Sequence, residues 1–278
     1  MRVAMATSPG HDRPNEDFVG AVPGAVVLVD GAGIPGMESV CSHGVAWYAH
    51  TLGAALLGQL SRTPGQQLAA ALGEAIDHVA GQHRHTCDLE SPISPQATVA
   101  VIRYDEDRLD HLVLADAYVV LDLSVSGAQV LTDPREVDAR TEVSTALDGL
   151  TAGTAEHERA MRSATGELRA RRNRPGGYWV AKDDPAAAAE AVTGSVPLGE
   201  LDGAALLSNG ASRIVDPYRL ADWPTALLLM RTHGPDEVIR WVREAEADGR
   251  RPDDATVAWC DVRGSSQSVE DDREEEPR

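Results

Sequence analysis

The sequence predicts an α+β protein in which two mostly antiparallel sheets pack together under an outer cover of helices, and three observations predict it. Segments 98–103, 109–115, 118–125 and 129–131 are short, rich in Val, Leu and Ile, and separated by turn formers such as Asp116-Ala117 and Ser126-Gly127, which reads as an antiparallel meander. Apolar residues recur at helical spacing over 39–60 and 66–83 before this meander, and again over 224–231 and 235–247 after it. Three further apolar runs, 25–29, 204–207 and 255–262, each border a polar turn: Asp30-Gly31, Ser208-Asn209-Gly210 and Pro252-Asp253-Asp254.

Each element has its local reason. The Val-rich run 25–29 is continuous rather than alternating, as expected of a strand buried on both faces, and it delivers Asp30 into a turn. The segment 235–247 begins with Pro in its first turn, followed by Asp236-Glu237, which match the helix dipole. Between 141 and 172 the pattern is polar and helical until Arg174-Pro175-Gly176-Gly177 breaks it, and the Ala-rich stretch 185–192 reads as another helix. Residues 264–278 are polar and acidic and are expected to be a disordered tail behind one domain spanning 1–263.

Composition narrows the function classes. Of 278 residues 42% are hydrophobic but only 4% aromatic, with a single Phe, so the core must be built from Val, Leu, Ile and Ala. A formal charge of -19 argues against a nucleic-acid partner, the only local basic stretch, Arg169 to Arg174, reading as a solvated helix end. Lys182 is the single lysine, which removes phosphate-loop chemistry and leaves little scope for a Schiff base. Cys41, Cys87 and Cys260 are odd in number and lack a Cys-x-x-Cys pair, which argues against a disulfide framework or a thiolate zinc knuckle. His83, His85 and Cys87 alternate along what should be a helix and would face different ways, so no zinc site is expected there. With no leader and no membrane-length apolar run, a cytoplasmic location and no membrane partner are expected.

The chemistry-bearing residues are acids at the ends of apolar elements. Asn15-Glu16-Asp17, Asp30-Gly31, Asp116 and Asp253-Asp254 offer the oxygen donors that hard octahedral cations such as Mg²⁺ and Mn²⁺ take. Taken in order, HDRPNEDF, VVLVDGAG, SPQATVAVI, LVLADAYVVL, AALLSNGAS and RPDDATVAWCDV resemble the motifs of the metal-dependent (PPM, type 2C) protein phosphatases over nearly the whole chain. The resemblance implies a four-layer α/β/β/α sandwich and hydrolysis of a phosphomonoester by a water bridging two, or with a third site three, Mn²⁺ or Mg²⁺ ions. Its substrate would be a phosphoserine or phosphothreonine protein, or a small phosphorylated molecule.

By the same resemblance Asp30 would bridge both metals, the Gly31 carbonyl and Asp253 would each bind one, and Asp116 would serve an additional ion. Glu16 and Asp17 would orient metal-bound waters, and Arg13 would anchor the phosphate, with His11 nearby as a further proton donor or a surface residue. The chain departs from the pattern at Asn209, where the family has a metal aspartate, at Ala115-Asp116-Ala117-Tyr118 in place of Gly-Asp-Ser-Arg, and at Ile34-Pro35-Gly36 in place of a Gly-rich turn with His. The first departure motivates a second reading, a weakened relative that binds phosphoproteins without turning them over.

Overall fold

The computed structural model describes residues 1–10, 13–33, 36–151 and 153–262; the expected tail and His11 fall outside them. Two five-stranded antiparallel sheets form the centre. One contains β2 (Asp17–Val22), β3 (Ala25–Ala32), β4 (Gln96–Tyr104), β5 (Arg108–Leu114) and β8 (Val192–Pro197), adjacent in that order. The other runs in the order β1 (Arg2–Ser8), β10 (Ala255–Asp261), β9 (Leu201–Leu207), β6 (Tyr118–Leu123) and β7 (Gly127–Leu131).

Side-chain alternation explains the layering. On β3, Val27 and Val29 face the helices α1 (Gly44–Arg62) and α2 (Leu68–His83), while Val26 and Leu28 face the other sheet. On β10, Ala258 and Cys260 look into the space between the sheets, and Val257 and Trp259 pack against α6 (Trp223–His233) and α7 (Pro235–Ala247). Central strands are therefore apolar on both faces, which is why they appear in the sequence as unbroken runs. The result is the expected four-layer α/β/β/α sandwich.

Several local expectations are corrected. The four segments between 98 and 131 are not one meander: β5 and β6 lie in different sheets, and the chain crosses between them at Ala115-Asp116-Ala117. Ala115 takes a left-handed conformation there (φ 63°), where a glycine would be unstrained. The polar segment after β7 is two helices, α3 (Arg135–Ser144) and α4 (Ala155–Ala170). The Ala-rich stretch makes only a 3₁₀ turn, Pro185–Glu190, because the chain must extend immediately afterwards into β8 to cover the β5 edge. Strands β1, β2 and β8 carry weak patterns and were not anticipated. The basic stretch is a helix end, as expected: it closes α4, with Arg171 ion-paired at the surface to Glu142 and Glu167, and Arg172 donating to the Pro92 carbonyl.

All three cysteines are free thiols, as expected, but two of them are not apart in space. Cys41 and Cys87 come together with His43 and His83, because the α1–α2 hairpin returns the end of α2 to the start of α1. His85 is exposed and outside this group, and Cys260 is buried in β10.

Candidate functional site

The acidic turns converge at one end of the sandwich. Asp30 sits near the end of β3, opposite Asp17 of β2 in the strand register. Asp116 is placed by the crossover between the sheets, Asn209 opens the short helix α5 (Asn209–Ser212) after β9, and Asp253 precedes β10. A cavity of about 410 Å³ is lined by Arg13, Glu16, Asp30, Gly31, Asp116, Asn209 and Asp253, so residues far apart in the chain share one wall.

Backbone hydrogen bonds hold these turns in place. Asn15 Oδ1 accepts from the Asp17 N–H at 2.9 Å, folding the Asn15-Glu16-Asp17 turn onto itself. Asp254 accepts from the Gly10 and Glu16 N–H groups at 2.8 and 2.7 Å, which ties the first motif to the last. The Gly31 N–H donates to the Glu16 carbonyl at 3.1 Å. Glycine is needed at two of these approaches: a Cβ on Gly31 would fall 2.5 Å from the Glu16 carbonyl oxygen, and one on Gly210 would fall 1.9 Å from that of Asp254. Asp253 and Asp254 thus divide the work, Asp254 bonding the backbone and Asp253 facing the cavity, where Arg213 pairs with it.

Asn209 holds two carboxylates. Its backbone N–H donates to Asp30 Oδ2 at 2.9 Å and its side-chain amide to Asp116 Oδ2 at 3.0 Å. An aspartate at 209 could not make the second bond while ionised.

The electrostatics are those of crowded carboxylates removed from water. Burial, with Asp17 and Asp116 adding like charge, lifts Asp30 well above the usual carboxylate range. Burial also pushes Asp17 up to about 7, the Ser208 and Thr256 hydroxyls opposing and Asp254 and Asp253 adding to the rise. Asp116 is pushed up to about 6, chiefly by burial and then by Glu136, with Arg140 opposing. Asp17 is only 3% exposed, and apart from the nearby Thr256 and Ser208 hydroxyls its carboxylate oxygens have no hydrogen-bond partner among the described residues. It stands behind Asp30 and does not line the cavity wall, unlike Glu16. A cluster that raises its own pKa values in this way is one whose charge a cation would relieve, and its all-oxygen donors suit a hard one.

The structure adds residues that the sequence did not reveal. Glu136 and Arg140, an i,i+4 ion pair at 2.8 Å on α3, close one side of the cavity, and Arg213 and Arg251 border the Asp253 side. Arg213 and Arg251 sit next to recognised motifs and could have been found by adjacency. Glu136 and Arg140 lie in a polar helix whose direction depends on tertiary packing, so their spacing alone gives no signal.

No family model matches the chain, and no curated protein matches it. Solved structures do. The Mycobacterium tuberculosis serine/threonine phosphatase PstP/Ppp is 20% identical with a TM-score of 0.57, the match covering 94% of this chain and 97% of that one. The catalytic domain of the serine/threonine protein phosphatase PstP in complex with two manganese ions is 21% identical over the same shares, with a TM-score of 0.58. The serine/threonine phosphatase Stp1 from Staphylococcus aureus is 14% identical with a TM-score of 0.57, the match covering 93% of this chain and 94% of that one. The chain has the fold of these bacterial serine/threonine phosphatases.

Proposed function

We propose that the chain is a metal-dependent phosphomonoester hydrolase of the PPM type, acting on phosphoserine or phosphothreonine in proteins. The observation that carries this is the single cavity shared by Asp30, Asp116, Asn209 and Asp253, in a fold shared with PstP bound to two manganese ions. Asp30, the Gly31 carbonyl, Asn209 Oδ1, Asp116 and Asp253 are the donors that would hold two Mn²⁺ or Mg²⁺ ions, with Asp116 available to a third. When bound, such ions supply a water of lowered pKa and neutralise charge on the phosphoryl group.

The chain's own residues position the substrate. Arg140 and Arg213 are engaged by Glu136 and Asp253, which leaves Arg13 and Arg251 on the cavity wall; Arg13, carried by the first acidic motif, is the guanidinium assigned to the phosphoryl oxygens, which it can grip with two parallel hydrogen bonds. Glu16, on the wall beside Asp30, would orient water in the cavity, and Asp17 would support Asp30 from behind.

Hydrolysis of p-nitrophenyl phosphate and of a phosphothreonine peptide across a Mn²⁺ titration tests this reading. Wild type is expected to turn over both. Asp30→Ala should lose more than about a hundredfold in rate, and Arg13→Ala should act chiefly through a raised KM. Asn209 favours a second reading, a phosphoprotein-binding relative of low turnover, because its amide withdraws one ligand charge and already bonds Asp116. Activity that appears only in Asn209→Asp would select that reading. Absence of hydrolysis and of metal binding in every variant would overturn both.

A further inference from the structure

Away from the carboxylate cavity, the start of α1 and the end of α2 bring Cys41, His43, His83 and Cys87 to one point, with one donor atom from each within 4.8 Å of all the others. We propose that these four side chains form a structural zinc site that staples the α1–α2 hairpin. The inference does not depend on the phosphatase reading.

Distances support a tetrahedral shell. Cys41 Sγ lies 3.8 Å from His83 Nδ1 and 3.9 Å from His43 Nδ1, and His43 Nδ1 lies 3.3 Å from Cys87 Sγ. A tetrahedral zinc with Zn–S near 2.3 Å and Zn–N near 2.0–2.1 Å puts S and N donors about 3.5 Å apart, so these three edges already lie within about 0.4 Å of the required length. Two sulfurs and two imidazoles are the donor set that zinc takes in structural sites, whereas Mg²⁺ and Mn²⁺ prefer oxygen. With four protein ligands no position is left open for chemistry, which makes the site structural.

The scaffold is built for it. His83 is the last residue of α2, and the Cys87 N–H donates to the His83 carbonyl at 2.9 Å, curling His83 and Cys87 toward each other. Cys41 and His43 precede α1, and the Asp88 N–H donates to the Val40 carbonyl at 2.9 Å, so the two ligand-bearing loops are already joined. Trp47 packs on both imidazoles, its ring centroid 4.3 Å from that of His43 and 5.0 Å from that of His83, which fixes their orientation. Cys41 and His83 are each 2% exposed, and a thiol at 3.8 Å is a weak partner for a buried imidazole nitrogen. His43 and Cys87 remain partly open to solvent, giving an entry path.

The staple would also steady the carboxylate cavity. Val45, in the first turn of α1, packs so closely on the site turn that a Cβ on Gly31 or Gly33 would fall 2.7 or 2.6 Å from it. Zinc loss is thus expected to lower Tm and loosen that wall.

The test is elemental analysis of the full chain purified without chelator. One zinc per chain is expected, retained in Asp30→Ala, which removes a carboxylate-site donor, and lost in Cys41→Ser and Cys87→Ser. Should the serine variants fail to fold, the wild-type chain loaded with Co²⁺ gives the same answer: intense visible bands with a sulfur-to-cobalt charge-transfer band support the site. A reduced wild-type chain that neither retains zinc nor shows the cobalt spectrum would overturn the proposal. So would zinc content unchanged in folded serine variants, or a Cys41–Cys87 disulfide in the freshly purified chain.

Discussion

Asn209→Asp is expected to tighten Mn²⁺ binding by about tenfold to a hundredfold while lowering the Tm of the metal-free chain. The gain comes from one more full charge beside a divalent ion, on the order of 1–3 kcal/mol in a partly screened site. The loss has two causes. The amide bond from Asn209 to Asp116, 3.0 Å long, disappears, and a further carboxylate joins Asp30 and Asp116, both of which already have raised pKa values. Calorimetric Mn²⁺ titration together with thermal melting in a chelator checks both signs. A variant that merely perturbed packing would move melting temperature and affinity in the same unfavourable direction.

The second large effect is on the pH dependence of the metal-free chain. Asp17 rises from an ordinary value of 3.8 to about 7 in the folded state. A carboxylate whose folded pKa is raised contributes stability that is complete below its unfolded pKa and is lost as pH rises through the folded one. The chelator-treated protein should therefore lose stability between about pH 4 and pH 7, with Asp116, at about 6, acting in the same direction. At about 1.4 kcal/mol for each pKa unit, Asp17 alone carries a few kcal/mol, or roughly 5–10 °C in Tm. Asp17→Asn keeps the shape and removes the charge, so it should flatten this profile and raise metal-free Tm above pH 7. A profile as steep in Asp17→Asn as in wild type would locate the cost elsewhere.

The positions of the candidate site residues were legible wherever an apolar run met an acid or, at Asn209, an amide. Asp30, Asp116, Asn209 and Asp253 each follow or precede a strand buried on both faces, and such strands announce themselves by unbroken Val, Leu, Ala and Ile. The same property hid the partition into sheets. A strand apolar on both faces does not say which neighbour it pairs with, so the crossover at Asp116 looked like an ordinary hairpin turn. Strand β8, with Gly194 and Pro197 in six residues, and edge strand β1, with exposed Met5, lack the pattern that marks a core strand. Glu136 and Arg140 reach the cavity through the packing of α3. Cys41 and His43 meet His83 and Cys87 only after two helices have folded back on each other, a juxtaposition that no local spacing encodes.

Calorimetry of Mn²⁺ binding at pH 7.5 tests most directly whether these carboxylates are brought together to bind hard divalent cations. With any zinc site filled, wild type is expected to bind two Mn²⁺ ions per chain, releasing protons as the raised carboxylates ionise, and Asp30→Ala to lose both binding events. Wild type that gives no heat and no rise in Tm with Mn²⁺ or Mg²⁺, or an Asp30→Ala variant that binds as wild type does, would contradict it.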